Sequence, residues 1–228
     1  MAKKVLFWGI WIGLIVYAFG FAPPNQPETF QLIKSLSTGD WEGINPLIVS
    51  LFNLMGIWPL IYSCVLIADG RCQRISAWPF VLISFGVGAF AILPYLGLRQ
   101  PNSEFSGVKN RLIRVLDSRI TGMILTLSAI AIASYGLLGA NWNDFITQWQ
   151  TDRFIHVMSL DFCLLSLLFP ALLRDDMAKR KMNSSKLFWG VSLMPLFGPL
   201  FYLCIRSPLA SVTPSDSLDQ PSSTLVET

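Results

Sequence analysis

Of the 228 residues in this chain, 53% are hydrophobic and only 14% are charged, and the formal net charge is +3. Soluble domains carry about 25% charged residues. A soluble core of this length could not hide so much apolar surface, so the composition excludes a soluble globular fold and fits an all-α integral membrane protein.

Six apolar stretches are expected to span a bilayer, at about 5–21, 44–68, 78–98, 120–138, 154–173 and 187–205, forming one transmembrane domain over 1–206. The first follows Met-Ala-Lys-Lys and resembles a secretory signal, but it lacks a clean small-residue cleavage site and reads as an uncleaved span. Phe30, Ile33 and Leu36 then recur at helical spacing, which predicts a short surface helix. The second and third stretches are joined only by a short loop around Asp69-Gly70-Arg71, so they form an antiparallel hairpin. In the basic connector that follows, Val108, Leu112, Val115 and Leu116 share a face while Lys109, Arg111 and Arg114 lie around the turn. That pattern suits a basic amphipathic helix on anionic headgroups, or a solvated charged loop. Trp8, Trp11, Trp41, Trp78, Trp142, Trp149 and Trp189 fall mostly at span ends, as an aromatic belt requires. The Ser-, Pro-, Thr- and Asp-containing tail, 207–228, is expected to be disordered.

With six spans, the basic loops 99–119 and 174–186 share one side, and the positive-inside rule places them in the cytoplasm or stroma with both termini opposite. Lys3 and Lys4 oppose that assignment. The halves echo each other at a separation of about 107 residues: Leu96-Gly-Leu-Arg-Gln-Pro101 against Leu203-Cys-Ile-Arg-Ser-Pro208, Tyr95 against Tyr202, Asp69 against Asp175-Asp176. Two directly joined three-helix units would run in opposite senses, a 3+3 inverted repeat of the kind transporters use. Chance similarity among Leu-rich helices is the alternative.

An ionisable residue deep in a span is costly and becomes a functional candidate by default. Asp161 is the clearest such residue. His156 lies nearer the start of the same stretch, about 140° around the helix from Asp161, so the two do not form a dyad. A partner for Asp161 must come from another helix, with Asn53 and Ser128 as candidates. A proton relay, a pigment or substrate contact, or a structural hydrogen bond would each suffice. One carboxylate and one imidazole are few parts for catalysis, which leans against an enzyme. Pro59, Pro94, Pro170, Pro195 and Pro199 predict kinks, strongest in the sixth stretch with Gly198, and Gly86-Val-Gly88 offers a smooth patch for close approach. Cys64, Cys72, Cys163 and Cys204 show no metal-ligand or disulfide spacing, no metal site is expected, and no motif calls for a cofactor. No phosphate-binding glycine loop and no nucleic-acid module is present, which excludes a nucleotide-driven machine and a nucleic-acid partner.

The strings Ile44-Asn-Pro-Leu-Ile-Val, Met55-Gly-Ile-Trp-Pro-Leu-Ile-Tyr62, Ser84-Phe-Gly-Val-Gly-Ala-Phe90 and Arg153-Phe-Ile-His-Val-Met-Ser-Leu-Asp-Phe162 are similar to uncharacterised multi-pass membrane proteins of cyanobacteria and plastids. The resemblance covers most of residues 40 to 206 and implies a setting, the photosynthetic (thylakoid) or plasma membrane, with no activity attached. In the last two stretches, His156, Asp161, Arg174 and Gly198-Pro199 loosely resemble the plant membrane proteins required for neoxanthin formation, which would imply a carotenoid or other pigment ligand. The rest of the chain departs from that pattern. Three readings follow: an interaction or assembly factor for photosynthetic membrane complexes, a small-solute or lipid-like transporter, and a carotenoid-related enzyme or binder. A transporter should show a mid-membrane polar cavity lined by Asn53 and Asp161.

Overall fold

The computed structural model describes residues 2–105 and 109–209, and every regular element among them is a helix. In order these are α1 (Ala2–Val16), α2 (Thr29–Thr38), α3 (Pro46–Asp69), α4 (Trp78–Val87), α5 (Ala89–Leu98), α6 (Arg111–Leu116), α7 (Arg119–Leu138), α8 (Trp142–Thr151), α9 (Arg153–Leu168), α10 (Pro170–Lys179), α11 (Ser185–Leu193) and α12 (Phe197–Ile205). Four segments are long and apolar enough to cross a membrane: Ala2–Phe21, Pro46–Asp69, Arg119–Leu138 and Arg153–Lys179, of 20, 24, 20 and 27 residues. At about 1.5 Å per residue, each reaches the roughly 30 Å of a hydrocarbon core. Asn45, Ser118 and Asp152 start the last three by accepting the first free backbone N–H groups, and Pro46 follows Asn45 where no N–H is needed.

The third and sixth expected spans are different. Each is two short helices meeting at a break, α4 and α5 at Gly88, and α11 and α12 at Leu196. Each pair folds back, so its two ends lie together. Gln73, ahead of α4, donates from Nε2 to the Gln100 carbonyl after α5 at 2.6 Å and accepts the Gln100 N–H at 2.8 Å. Arg180, ahead of α11, likewise donates to the Ser207 carbonyl after α12. Neither pair therefore joins opposite ends of the bundle, so where six spans were expected the fold has four segments long and apolar enough to cross a membrane and two broken hairpins.

The breaks are closed by different chemistry. Gly88 has φ 52° and ψ −123°, a conformation a glycine adopts freely, and its N–H still bonds Ser84 to finish α4. The next N–H, of Ala89, has no helical acceptor and is taken by the Asp161 carboxylate at 2.8 Å. At the second break Leu196 (φ 60°, ψ −58°) is the centre of a γ-turn in which the Phe197 N–H bonds the Pro195 carbonyl at 2.6 Å. Pro199 follows in the first turn of α12, where a missing N–H costs nothing.

One end of the bundle holds almost all the cationic residues. Lys4 donates to the Leu98 carbonyl, Arg119 to the Arg206 carbonyl, and Arg206 to the carbonyls of Cys64 and Leu116. Residues 4, 64, 98, 116, 119 and 206 therefore lie at one end, and the N-terminus is not opposite the 99–119 loop. Of the 17 Lys and Arg, only Lys34 and Arg153 belong to the other end, where α2, α8, Asn45 and Arg153 gather: Asn45 donates to Asn141 and Asp144, and Arg153 to Pro23.

The charged residues at the basic end form a buried network. Asp69 receives Arg99 (2.8 Å) and Lys179 (2.6 Å), and Arg99 also pairs with Asp175 (2.6 Å). Asp176 receives Arg180 at 2.7 Å and faces Arg206 at 3.6 Å, while Arg180 also pairs with Asp117 at 2.6 Å. Tyr95 donates to Asp69 and Tyr202 to Asp176, each across 26 residues of chain. Asp69, Gln73, Tyr95, Arg99 and Gln100 thus have counterparts in Asp176, Arg180, Tyr202, Arg206 and Ser207. The counterparts sit at the same end of the bundle. A unit with two crossings and a hairpin returns to its starting side, so a second copy begins in the same sense. The inverted repeat is therefore not what the contacts show; the two halves run parallel.

Inside the bundle, α3 is central. Trp58, Ile61, Tyr62 and Leu66 are fully enclosed, and Tyr62 donates to the Leu165 carbonyl at 2.6 Å. Within lipid, close packing and hydrogen bonds hold helices together more than the hydrophobic effect does. Consistent with this, Gly122 of α7 lies against the Leu203 backbone of α12, and Ser50 of α3 donates to the Ile132 carbonyl of α7. The expected surface helix is α2, with Leu36 buried against Ile48, Val49, Ile155 and Met158. Among its described residues the basic connector is not one amphipathic helix: between α5 and α7 only Arg111–Leu116 is helical, Ile113 is buried, and Val108 lies outside the described residues. Ser207 to Leu209 pack onto the bundle end through the Leu209 N–H to Asp117, while 210–228 lie outside the described residues.

Candidate functional site

Between the tip of the first hairpin and the far ends of α1 and α3 lies a cavity of about 500 Å³. Its walls are apolar and aromatic, with Phe52, Met55, Phe85, Phe90 and Phe154 among them. Gly86 and Gly88 bring the hairpin tip to one side, Asp161 supplies the carboxylate, and Asn25, Thr29 and Arg153 stand at the end away from the basic network. This size and this mix of apolar wall with few polar groups are those of small-molecule sites.

Asp161 lies about two turns into α9 and is 4% exposed. Its Oδ1 accepts the Ala89 N–H, which puts a carboxylate at the start of α5, where the helix dipole favours negative charge. Oδ2 has no protein hydrogen bond, and no Lys, Arg or His pairs with Asp161 among the described residues. A Cβ at position 88 would collide with the carboxylate, so the glycine and the aspartate require each other. Neither Asn53 nor Ser128 is the partner. Asn53 donates back to the Val49 carbonyl of its own helix at 2.8 Å and does not line this cavity, so the cavity does not bring Asn53 and Asp161 together as expected.

His156 belongs to a separate cluster. Its Nδ1 lies 2.8 Å from the Trp149 carbonyl, which can only accept, so Nδ1 donates there, while Nε2 lies 2.8 Å from the Tyr17 hydroxyl. The ring stacks between Trp149 and Tyr17, tying the π-helical end of α1 to α8 and α9. Pro195, Gly198 and Pro199 shape the second break, where a side chain on Gly198 would meet Val191, and Pro59 sits buried within an unbroken α3.

The buried ion network was not singled out by sequence reasoning, which assigned the basic loops to headgroups or solvent. Its signal was present in the paired Asp, Tyr and Arg of the two halves. Outside the crossing segments, burial alone would raise the Asp117 carboxyl, but Arg180 by charge and hydrogen bond, with Lys109 and the Leu209 N–H, holds it below the usual carboxylate range. Burial works against the Arg180 guanidinium too, yet Asp176 and Asp117 keep it firmly charged.

No family model, curated protein or solved structure matches the chain.

Proposed function

We propose that this chain is an integral membrane protein that binds a lipid-like small molecule in the cavity between the first hairpin and α9. The cavity of about 500 Å³ carries the reading: it combines aromatic walls with one buried carboxylate whose second oxygen has no hydrogen-bond partner among the described residues. Broken helices of this kind are tolerated in a bilayer where they are packed in protein or line a cavity, and the first hairpin does the latter. The basic end faces the cytoplasm or stroma in this proposal, since only Lys34 and Arg153 lie at the other end. The photosynthetic or plasma-membrane setting, and an assembly partner among its complexes, rest on the sequence resemblance alone.

A second reading, movement of the bound molecule across the membrane, is favoured by two parallel halves that each carry a broken hairpin. Binding sites at discontinuous helices are a transporter device. The test of the main reading is gentle detergent extraction, followed by an absorbance spectrum and mass spectrometry of co-purified small molecules. One co-purified species per chain, lost when Gly86→Phe fills the cavity, supports it. Gly86 lines the cavity, and a Cβ added there meets nothing within 4 Å, so the variant introduces no clash at Cβ. An extract with no bound molecule sinks it. A coloured extract assigns the ligand to the carotenoid class.

A further inference from the structure

The ligand-cavity reading leaves the ligand's chemistry open, and the charges around the cavity narrow it. Asp161 is the only ionisable group in the inner part of the cavity, and no protein cation answers it among the described residues. Its neighbours from every element packed on it are uncharged: the Ala89 N–H and Gly88 at the hairpin tip, Met55 and Gly56 from α3 with the buried Tyr62 hydroxyl, which donates to the Leu165 carbonyl, and Val157 and Met158 from its own helix. A buried carboxylate without a counter-ion is costly, and either a proton or a positively charged ligand removes that cost.

Two further observations decide for a cation. The end of the bundle on which Asn25, Thr29 and Arg153 border the cavity carries Glu28, Asp40, Glu42, Asp144 and Asp152 against only Lys34 and Arg153, so the field there draws in positive charge. Arg153 keeps its charge at that end but is held away from Asp161, with its Nε on the Pro23 carbonyl and its backbone N–H on that of Pro24, and it makes no ion pair with the carboxylate among the described residues. Five phenylalanines, Phe19, Phe52, Phe85, Phe90 and Phe154, line the path to Asp161, and aromatic faces attract cations as well as apolar bodies. Phe19, Phe85 and Val87 are exposed on the outer surface of the bundle, which gives an apolar molecule a sideways entry from lipid.

We infer that the cavity takes a lipophilic organic cation, an ammonium or phosphonium group on an apolar body, with the charge seated at Asp161 and the body against the phenylalanines. Proton and cation then compete for the same carboxylate. Binding is weaker in acid, and a bound cation displaces a proton when one is present.

The experiment uses the full chain in lipid nanodiscs with two probes of the same shape and opposite sign, tetraphenylphosphonium and tetraphenylborate, with protein-free nanodiscs subtracted. The expected result is one phosphonium site per chain, preferred over the borate by about tenfold or more. Affinity should weaken by about tenfold between pH 8 and pH 5, and Asp161→Asn, which keeps an acceptor for the Ala89 N–H, should lose the site. If Asp161→Asn does not fold, Gly86→Phe must abolish the site instead, and the pH dependence of the native protein carries the charge argument. Equal or tighter borate binding overturns the cation while leaving the cavity reading intact. Phosphonium binding that is indifferent to pH and to both substitutions overturns it as well, and so does no binding of either probe. The cavity reading stands or falls separately, on the co-purified molecule.

Discussion

Gly88 and Asp161 occupy space that neither could share with a larger partner: the glycine has φ 52°, and a methyl group there would overlap the carboxylate that accepts the Ala89 N–H. The break in the third apolar stretch and the one deeply buried aspartate of α9 are thus a single feature. An acidic side chain that looked like a candidate for chemistry also ends the exposure of a helix start.

Gly88→Ala should therefore destabilise the protein by about 2–4 kcal/mol, from a strained backbone and a displaced hydrogen bond. Gly86→Ala, two residues away with open space at its Cβ, should cost about 1 kcal/mol or less. Thermal unfolding in one detergent, read by tryptophan fluorescence, compares them. Equal losses would refute the close contact.

Arg180 is fully buried and serves Asp176, Asp117 and the Ser207 carbonyl. Removing it leaves two buried carboxylates short of a cation, which costs about 3–5 kcal/mol. Arg180→Leu should accordingly be among the most damaging changes at the basic end, while Arg71→Leu, exposed, should stay within about 0.5 kcal/mol. The same melting assay decides this, and a mild Arg180→Leu would mean the network is solvated.

Asp117 contributes a pH dependence of known sign. Its carboxyl is lowered on folding, so its stabilisation is complete above about pH 4 and is lost as pH falls below that value. The native protein should lose melting temperature on the acid side more steeply than Asp117→Asn, whose own acid limb lacks this contribution. Parallel acid limbs would show that the carboxyl is not held low.

The arrangement of ends has its own test. Single cysteines at Ala2, Asn102 and Asn143, in a cysteine-free background, are labelled with an impermeant maleimide in oriented vesicles. Four crossing helices put Ala2→Cys and Asn102→Cys on one side and Asn143→Cys on the other. Six crossings would separate Ala2 from Asn102 instead.

Much of the fold was legible because apolar run length is a local property. The stretches at 5–21, 44–68, 120–138 and 154–173 correspond to the four long segments, and the spacing of Phe30, Ile33 and Leu36 located α2. The stretches at 78–98 and 187–205 have the same hydropathy as a crossing helix, so composition could not distinguish crossing from turning back. Asp161 stood out on cost alone. Its partner could not be read, because a backbone N–H freed by a helix break carries no sequence signature of its own.

Sequence by itself determined that this chain is helical and suited to a bilayer, since 53% hydrophobic residues in long runs leave few alternatives. It also held the matched Asp, Tyr and Arg of the two halves. Tertiary structure alone decided their sense: Gln73 meets Gln100 and Arg180 meets Ser207, which brings both ends of each hairpin to the basic side. Whether a broken helix continues or returns depends on which distant groups satisfy its freed backbone and flanking charges. Those partners lie tens of residues away, out of reach of any local pattern.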